Sequence, residues 1–181
     1  MKYLYVGATS EMENEFDQEA LGAVREQVAS AFGAPVKPLE LPSVEFAYDA
    51  ARGQYASIAV MEMLTRACPA DALKLLAVTA RDLFIPVLTF VYGHAQLGGN
   101  VAVVSLARLR QEFYGLAPNG EVFRERARKE ALHETGHTFG LIHCADRDCA
   151  MALSTNIRQI DRKQAAFCAT CAGRLRHRSR E

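Results

Sequence analysis

Residues 133–143 read His133-Glu134-Thr135-Gly136-His137-Thr138-Phe139-Gly140-Leu141-Ile142-His143. His133 and His137 are four positions apart, so on a helix they stand one turn above the other on the same face. Two imidazoles so placed can reach one ion at about 2.0–2.1 Å. Glu134 is turned about 100° round the helix from His133, which sets its carboxylate beside such an ion rather than on it. Gly140 lies where the helix must end, because a residue without Cβ reaches left-handed backbone angles at little cost. The reversed chain can return His143 as a third ligand, and three protein ligands leave one zinc position open for water. Glu134 can then take a proton from that water and hand it to a leaving amine. The five-residue core alone arises by chance on ordinary amphipathic helices. The longer pattern has five fixed positions and recurs by chance in about one in 10⁵ chains of this length.

Working outward, the motif closes a helix expected over about 120–140 and introduced by Pro118 and Asn119. Before it, the apolar stretches 74–80, 87–93 and 101–106 read as strands, punctuated by Pro86 and the Gly98–Gly99 pair. Residues 54–67 read as a helix ended by Pro69. Residues 35–41, with two prolines, suit a sheet edge. Residues 2–8 alternate as a strand. Ser10 with Glu13 forms a capping box that opens a helix, along which Met12, Phe16, Ala20, Val24, Val28 and Phe32 recur until Gly33 stops it. Early strand–helix–strand order implies a largely parallel sheet, hence an α/β fold. After residue 140 the periodicity fails and an irregular tail is expected. No linker or repeat divides the chain, so one domain spans 1–181, with an N-terminal part to about 140 and a C-terminal part over about 141–181.

The 181 residues suffice for a sizeable core, and 50% are hydrophobic. Lys plus Arg (21) equals Asp plus Glu (21), so there is no general electrostatic attraction to nucleic acid or an anionic membrane. The N-terminal residues lack a secretory pattern, and no stretch has the length of a membrane span. A cytoplasmic monomer is the expectation.

Of five cysteines, four crowd into the last quarter of the chain. Cys144 and Cys149 form one pair, and Cys168 and Cys171 another. Two such pairs separated by a loop suit a tetrahedral thiolate zinc site. Residues 144–171 hold few large apolar groups, so a metal would hold them where burial cannot. Two disulfides or four buried free thiols are the alternatives; a reducing compartment and the clustering weigh against them. Cys68 reads as a core thiol near a helix end.

The extended histidine motif resembles that of the metzincins. Cys144 directly after His143, then Cys149, Met151 and Cys168-Ala169-Thr170-Cys171, is similar to the archaemetzincins. Arg52-Gly53-Gln54-Tyr55, Phe90-Val91-Tyr92-Gly93, Leu97-Gly98-Gly99 and Ser105-Leu106-Ala107-Arg108 resemble that family too. The resemblance covers roughly residues 50–171. It implies a mixed, mostly parallel twisted sheet with an antiparallel edge strand over the active-site helix, a methionine turn at Met151 beneath the metal, and a zinc-stapled C-terminal part. It also implies two Zn²⁺ ions per chain, one catalytic and one structural, and peptide or protein substrates. Some metzincins carry a Tyr two residues after the Met; here Leu153 stands there, so transition-state stabilisation must come from elsewhere.

The function expected is therefore zinc-dependent peptide hydrolysis. A non-catalytic, zinc-stabilised binding protein on the same fold is the alternative, and the intact Glu134 argues against it. Hydrolysis of a non-peptide amide is a third. His94, the basic tail from Arg174 to Arg180, and Arg126 with Glu130 are left outside the site, the last two as an ordinary helix pair.

Overall fold

The computed structural model describes residues 2–178. Strand β1 (Tyr3–Thr9) buries Leu4 and Val6 in one layer and Tyr5 in another, so it sits inside the sheet. Helix α1 (Glu15–Phe32) follows, and Gly33 at φ 60° ends it. Strand β2 (Val36–Leu41) pairs parallel to β1 at the sheet edge, where Pro38 is tolerated. Next come β3 (Tyr48–Asp49), β4 (Gln54–Ala56) and α2 (Ser57–Ala67). Then follow β5 (Ala72–Thr79), β6 (Leu83–Phe84), β7 (Gly93–Ala95) and β8 (Val101–Ser105). Helix α3 (Gly120–Thr138) and two short helices, α4 (Ile157–Arg162) and α5 (Ala169–Arg178), complete the described residues.

The main sheet has the order β2-β1-β5-β8-β7. Its first four strands are parallel, and β7 is antiparallel to β8. Strands β3, β4 and β6 form a small second sheet. One face of the main sheet packs on α1 and α3 through Leu76, Val78, Ala102 and Val104, and the other on α2 through Leu75, Ala77, Val101 and Val103. The α/β fold with an antiparallel edge strand is the one expected.

Local expectations needed revision in five places. The capping box at Ser10 and Glu13 does not form. The chain turns there, with Met12 N bonded to Thr9 O at 3.1 Å, and the cap of α1 is Asn14, which accepts from Asp17 N at 2.8 Å. Met12 is still buried, while Phe16 is 51% exposed. Residues 54–56 are strand rather than helix, because the Gln54 amide donates to Asp82 Oδ2 and Thr89 O and holds the segment extended.

The stretch 87–93 is not a strand. Leu88 N closes a turn on Ile85 O, and the Arg52 guanidinium donates to Leu88 O, which holds the segment as a loop. Pairing resumes at Gly93. The tail is not wholly irregular, since α4 and α5 lie within it, and Arg174 of the basic tail belongs to α5; Arg180 lies outside the described residues. Finally, Arg126 and Glu130 do not pair with each other. Arg126 forks onto Asp161 (2.7 and 2.8 Å), and Glu130 meets Lys163.

Three aromatic rings join distant parts of the chain. Phe32, at the end of α1, stacks on Phe139 at 4.9 Å and meets the edge of Phe167 at 5.7 Å.

Candidate metal centre and cleft

Helix α3 starts on Asn119, whose side chain accepts from Val122 N. It runs beneath the sheet, and in its last two turns all but His137 are buried, including His133 and Glu134 at 6% exposure each. The stop follows the Schellman pattern: Leu141 N bonds Gly136 O at 3.0 Å and Gly140 N bonds His137 O at 2.8 Å, with Gly140 at φ 81°. This turn brings His143 back to the other two histidines. The ring centroids of His133, His137 and His143 lie 4.6–5.2 Å apart. One nitrogen from each falls within 4.8 Å of the others, a group that could hold a metal ion.

Backbone carbonyls set the tautomers. His133 Nδ1 donates to Ala150 O at 2.9 Å, and His137 Nδ1 to Leu141 O at 2.7 Å. With both Nδ1 protons committed, each Nε2 presents a lone pair, and the two Nε2 atoms stand 3.0 Å apart. Two facing lone pairs repel unless a cation lies between them. Ligands about 2.0–2.1 Å from a tetrahedral ion sit roughly 3.3 Å from each other, so the pair fits zinc. Burial, with the nearby Lys163 charge, holds the His133 imidazole well below the usual histidine range, which keeps it neutral and ready to coordinate.

Met151 is fully buried under the helix at Gly136: a Cβ built there would lie 2.5 Å from Met151 Sδ. The methionine turn expected from the resemblance thus packs directly on the motif. Glu134 faces strand β7, and a Cβ on Gly93 would lie 2.5 Å from Glu134 Oε1. Burial, followed by the Glu130 carboxylate, pushes the Glu134 carboxyl well above its ordinary value, while Lys163 acts the other way.

The histidines and Glu134 open into a cleft of about 590 Å³ between β7, the preceding loop and the segment after Met151. Leu88, Leu97, Ile142 and Leu153, each at least half exposed, give it apolar walls. Of the apolar loop residues that read as a strand, Leu88 is therefore cleft rim, while Tyr92 lines the cleft from the core. His94 touches the cleft, but its side chain is not part of the histidine group. It pairs in register with Val103, on the α2 face of the sheet, and its Nδ1 is 2.9 Å from Ser57 Oγ.

The cysteines gather beside this centre. The Sγ atoms of Cys144, Cys149, Cys168 and Cys171 lie within 4.8 Å of one another, and none of the four is in a disulfide. Cys144 Sγ and Cys168 Sγ are 3.8 Å apart, about the spacing of two thiolates on a tetrahedral zinc with bonds near 2.3 Å. Cys149 Sγ accepts from Met151 N and Cys168 N, which act against the burial that pushes this thiol up. The Cys168 thiol is lowered chiefly by the backbone N–H of Cys171. Four soft donors so arranged fit zinc.

Sequence reading missed three residues of the centre. Gly93 and Gly136 leave room for Glu134 and Met151, and Lys163 is a wholly buried cation. A small residue inside the motif was a signal for Gly136; nothing in the neighbourhood of Lys163 in sequence signals its burial.

A mixed sheet over a helix that ends in three converging imidazoles, with a buried carboxyl between the first two, defines a zinc metallopeptidase. The comparisons narrow this. Peptidase family M54 matches residues 11–177. The archaemetzincin of Methanocaldococcus jannaschii is 39% identical over 166 residues, covering 91% of this chain and 89% of that protein. That of Methanopyrus kandleri is 44% identical over 135 residues, covering 75% and 72%. The crystal structure of the M. kandleri protein superposes with a TM-score of 0.87 at 34% identity, covering 99% of this chain and 97% of that one. The structure of the Archaeoglobus fulgidus archaemetzincin complexed with malonate gives 0.79 at 32%, covering 96% and 99%. The chain belongs to Peptidase family M54, the archaemetzincins.

Proposed function

We propose that the chain hydrolyses peptide bonds at a zinc held by His133, His137 and His143, with Glu134 as the proton-transfer group, and that Cys144, Cys149, Cys168 and Cys171 hold a second, structural zinc. The observation that carries the first part is the pair of oriented Nε2 lone pairs facing each other at 3.0 Å with Glu134 alongside. When bound, zinc supplies a Lewis acid that polarises the scissile carbonyl and acidifies water. Glu134, packed against Gly93, receives the proton of the attacking water and delivers it to the amine that leaves. The apolar cleft walls receive side chains of a peptide substrate, and the metal-bearing thiols suit a cytoplasmic setting. No described helix is long and apolar enough to cross a membrane.

The test is a peptide-library cleavage assay of wild type beside Glu134→Ala, with metal content measured in both. Cleavage by wild type that is lost in the variant at unchanged metal content is expected. Equal cleavage by both would refute the role of Glu134.

A further inference from the structure

Lys163 is a large side chain removed from water entirely, at 0% side-chain exposure. A buried ammonium needs partners for its charge and its three protons. Its Nζ lies 2.7 Å from Glu130 Oε1, 3.3 Å from Ala152 O and 3.4 Å from Ala150 O. Glu130 Oε1 meets the ammonium as an ion pair without a hydrogen bond, the two carbonyls accept from it, and these partners come from two places. Glu130 is on α3, one turn before Glu134, and lines the cleft at 3% side-chain exposure. Ala150 and Ala152 flank Met151. The carbonyl of Ala150 is also the acceptor for His133 Nδ1–H, so His133 and Lys163 share its two lone pairs.

We propose that Lys163 is a positioning residue for the metal centre: its ammonium fixes the Ala150 carbonyl that orients His133 and neutralises Glu130 beside Glu134. The inference rests on the reading of His133, His137 and His143 as zinc ligands.

Two considerations favour this role over a purely structural ion pair. A buried pair replaced by apolar side chains of similar volume often costs nothing in stability, so stability alone is a weak reason for one here. And a free carboxylate in the cleft, one turn from Glu134, is itself a zinc ligand of ordinary type. Holding Glu130 on an ammonium withdraws it from that competition.

The experiment compares wild type with Lys163→Met and with the double variant Glu130→Gln/Lys163→Met. The double variant leaves no unpaired buried charge but still removes the ammonium from both carbonyls, leaving Ala150 O to His133 alone. Each protein is titrated with a competing chelator after loading with Zn²⁺, and the visible spectrum is recorded after loading with Co²⁺. The expected result is an about 10–100-fold weaker hold on the histidine-bound ion, with an altered Co²⁺ spectrum at that site. The ion on the four cysteines should be released at the wild-type chelator concentration. Should Lys163→Met fail to fold, the double variant is expected to show the same loss.

Unchanged affinity and spectrum in a folded variant would overturn the proposal. So would equal loss of both ions, or failure of both variants to fold, since Lys163 would then serve the fold alone. Wild-type protein that binds no ion at its histidines would instead remove the zinc reading itself.

Discussion

Gly93 and Glu134 are in contact across the cleft: a methyl group on residue 93 would stand 2.5–2.6 Å from Cγ, Cδ and Oε1 of Glu134. Gly93 does not have the positive φ that would require glycine, so its lack of a side chain serves this contact. Gly93→Ala should displace the Glu134 carboxyl. The displacement is of order 1 Å, and such a shift of a catalytic group can cost about 10²-fold. Steady-state kinetics should show the loss in kcat/KM, with Zn²⁺ content unchanged. Full activity in Gly93→Ala would show that Glu134 has room to move.

Gly136 stands in the same relation to Met151. Gly136→Ala gains about 1 kcal/mol of helix propensity, but forcing a methyl against a buried thioether costs about 1–3 kcal/mol. Met151 is fully buried with no open side to retreat to, so the cost should win. Calorimetry should find a lower Tm, by about 2–4 °C per kcal/mol for a chain of this size. A raised Tm would mean that the methionine turn yields freely.

Glu134→Gln keeps the shape of the side chain and removes its capacity to take a proton. The variant should retain the fold and its metal, and lose hydrolysis by about 10²–10⁴-fold or more. Metal analysis beside a peptide cleavage assay separates the two effects. Loss of zinc in the variant would reassign Glu134 as a ligand.

Cys144 follows His143 directly, its N–H bonds Met151 O at 2.9 Å, and it bridges to Ala152. The proposed structural zinc therefore grips the backbone on both sides of the histidine group. Cys168→Ser, remote from the motif in sequence, should weaken the histidine-bound zinc by about 10–100-fold or unfold the C-terminal segment. A competitive chelator titration decides. Release at the same chelator concentration in wild type and variant would mean that the two centres are independent.

Much of this arrangement was legible in the sequence because short-range rules govern it. The four-residue histidine spacing, the Gly140 stop, the Asn119 start and the alternation of β1 each depend on neighbours within a turn or a strand. What escaped notice depends on distant partners. The loop at 87–92 has strand-like composition, yet Arg52 ties it down from 36 positions away, and its apolar residues divide between the cleft rim at Leu88 and the core at Tyr92, with Phe90 and Val91 touching both. Strand β7, Gly-His-Ala, has little intrinsic preference for a strand and exists because β8 offers it an edge. Lys163 is an ordinary surface residue by composition, and only the convergence of Glu130, Ala150 and Ala152 makes its burial intelligible.

The ring of Phe32 has a consequence for how the molecule comes apart. It closes the first helix, leans on Phe139 at the end of the histidine-bearing helix, and touches Phe167 just ahead of Cys168. The three segments meet through the Phe32 ring, so detaching any one of them breaks a ring contact made by another. Cooperativity follows from shared contacts of this kind. Heat should thus melt the thiol knot, the histidine helix and the opening helix together, in one step, rather than shedding the C-terminal end first.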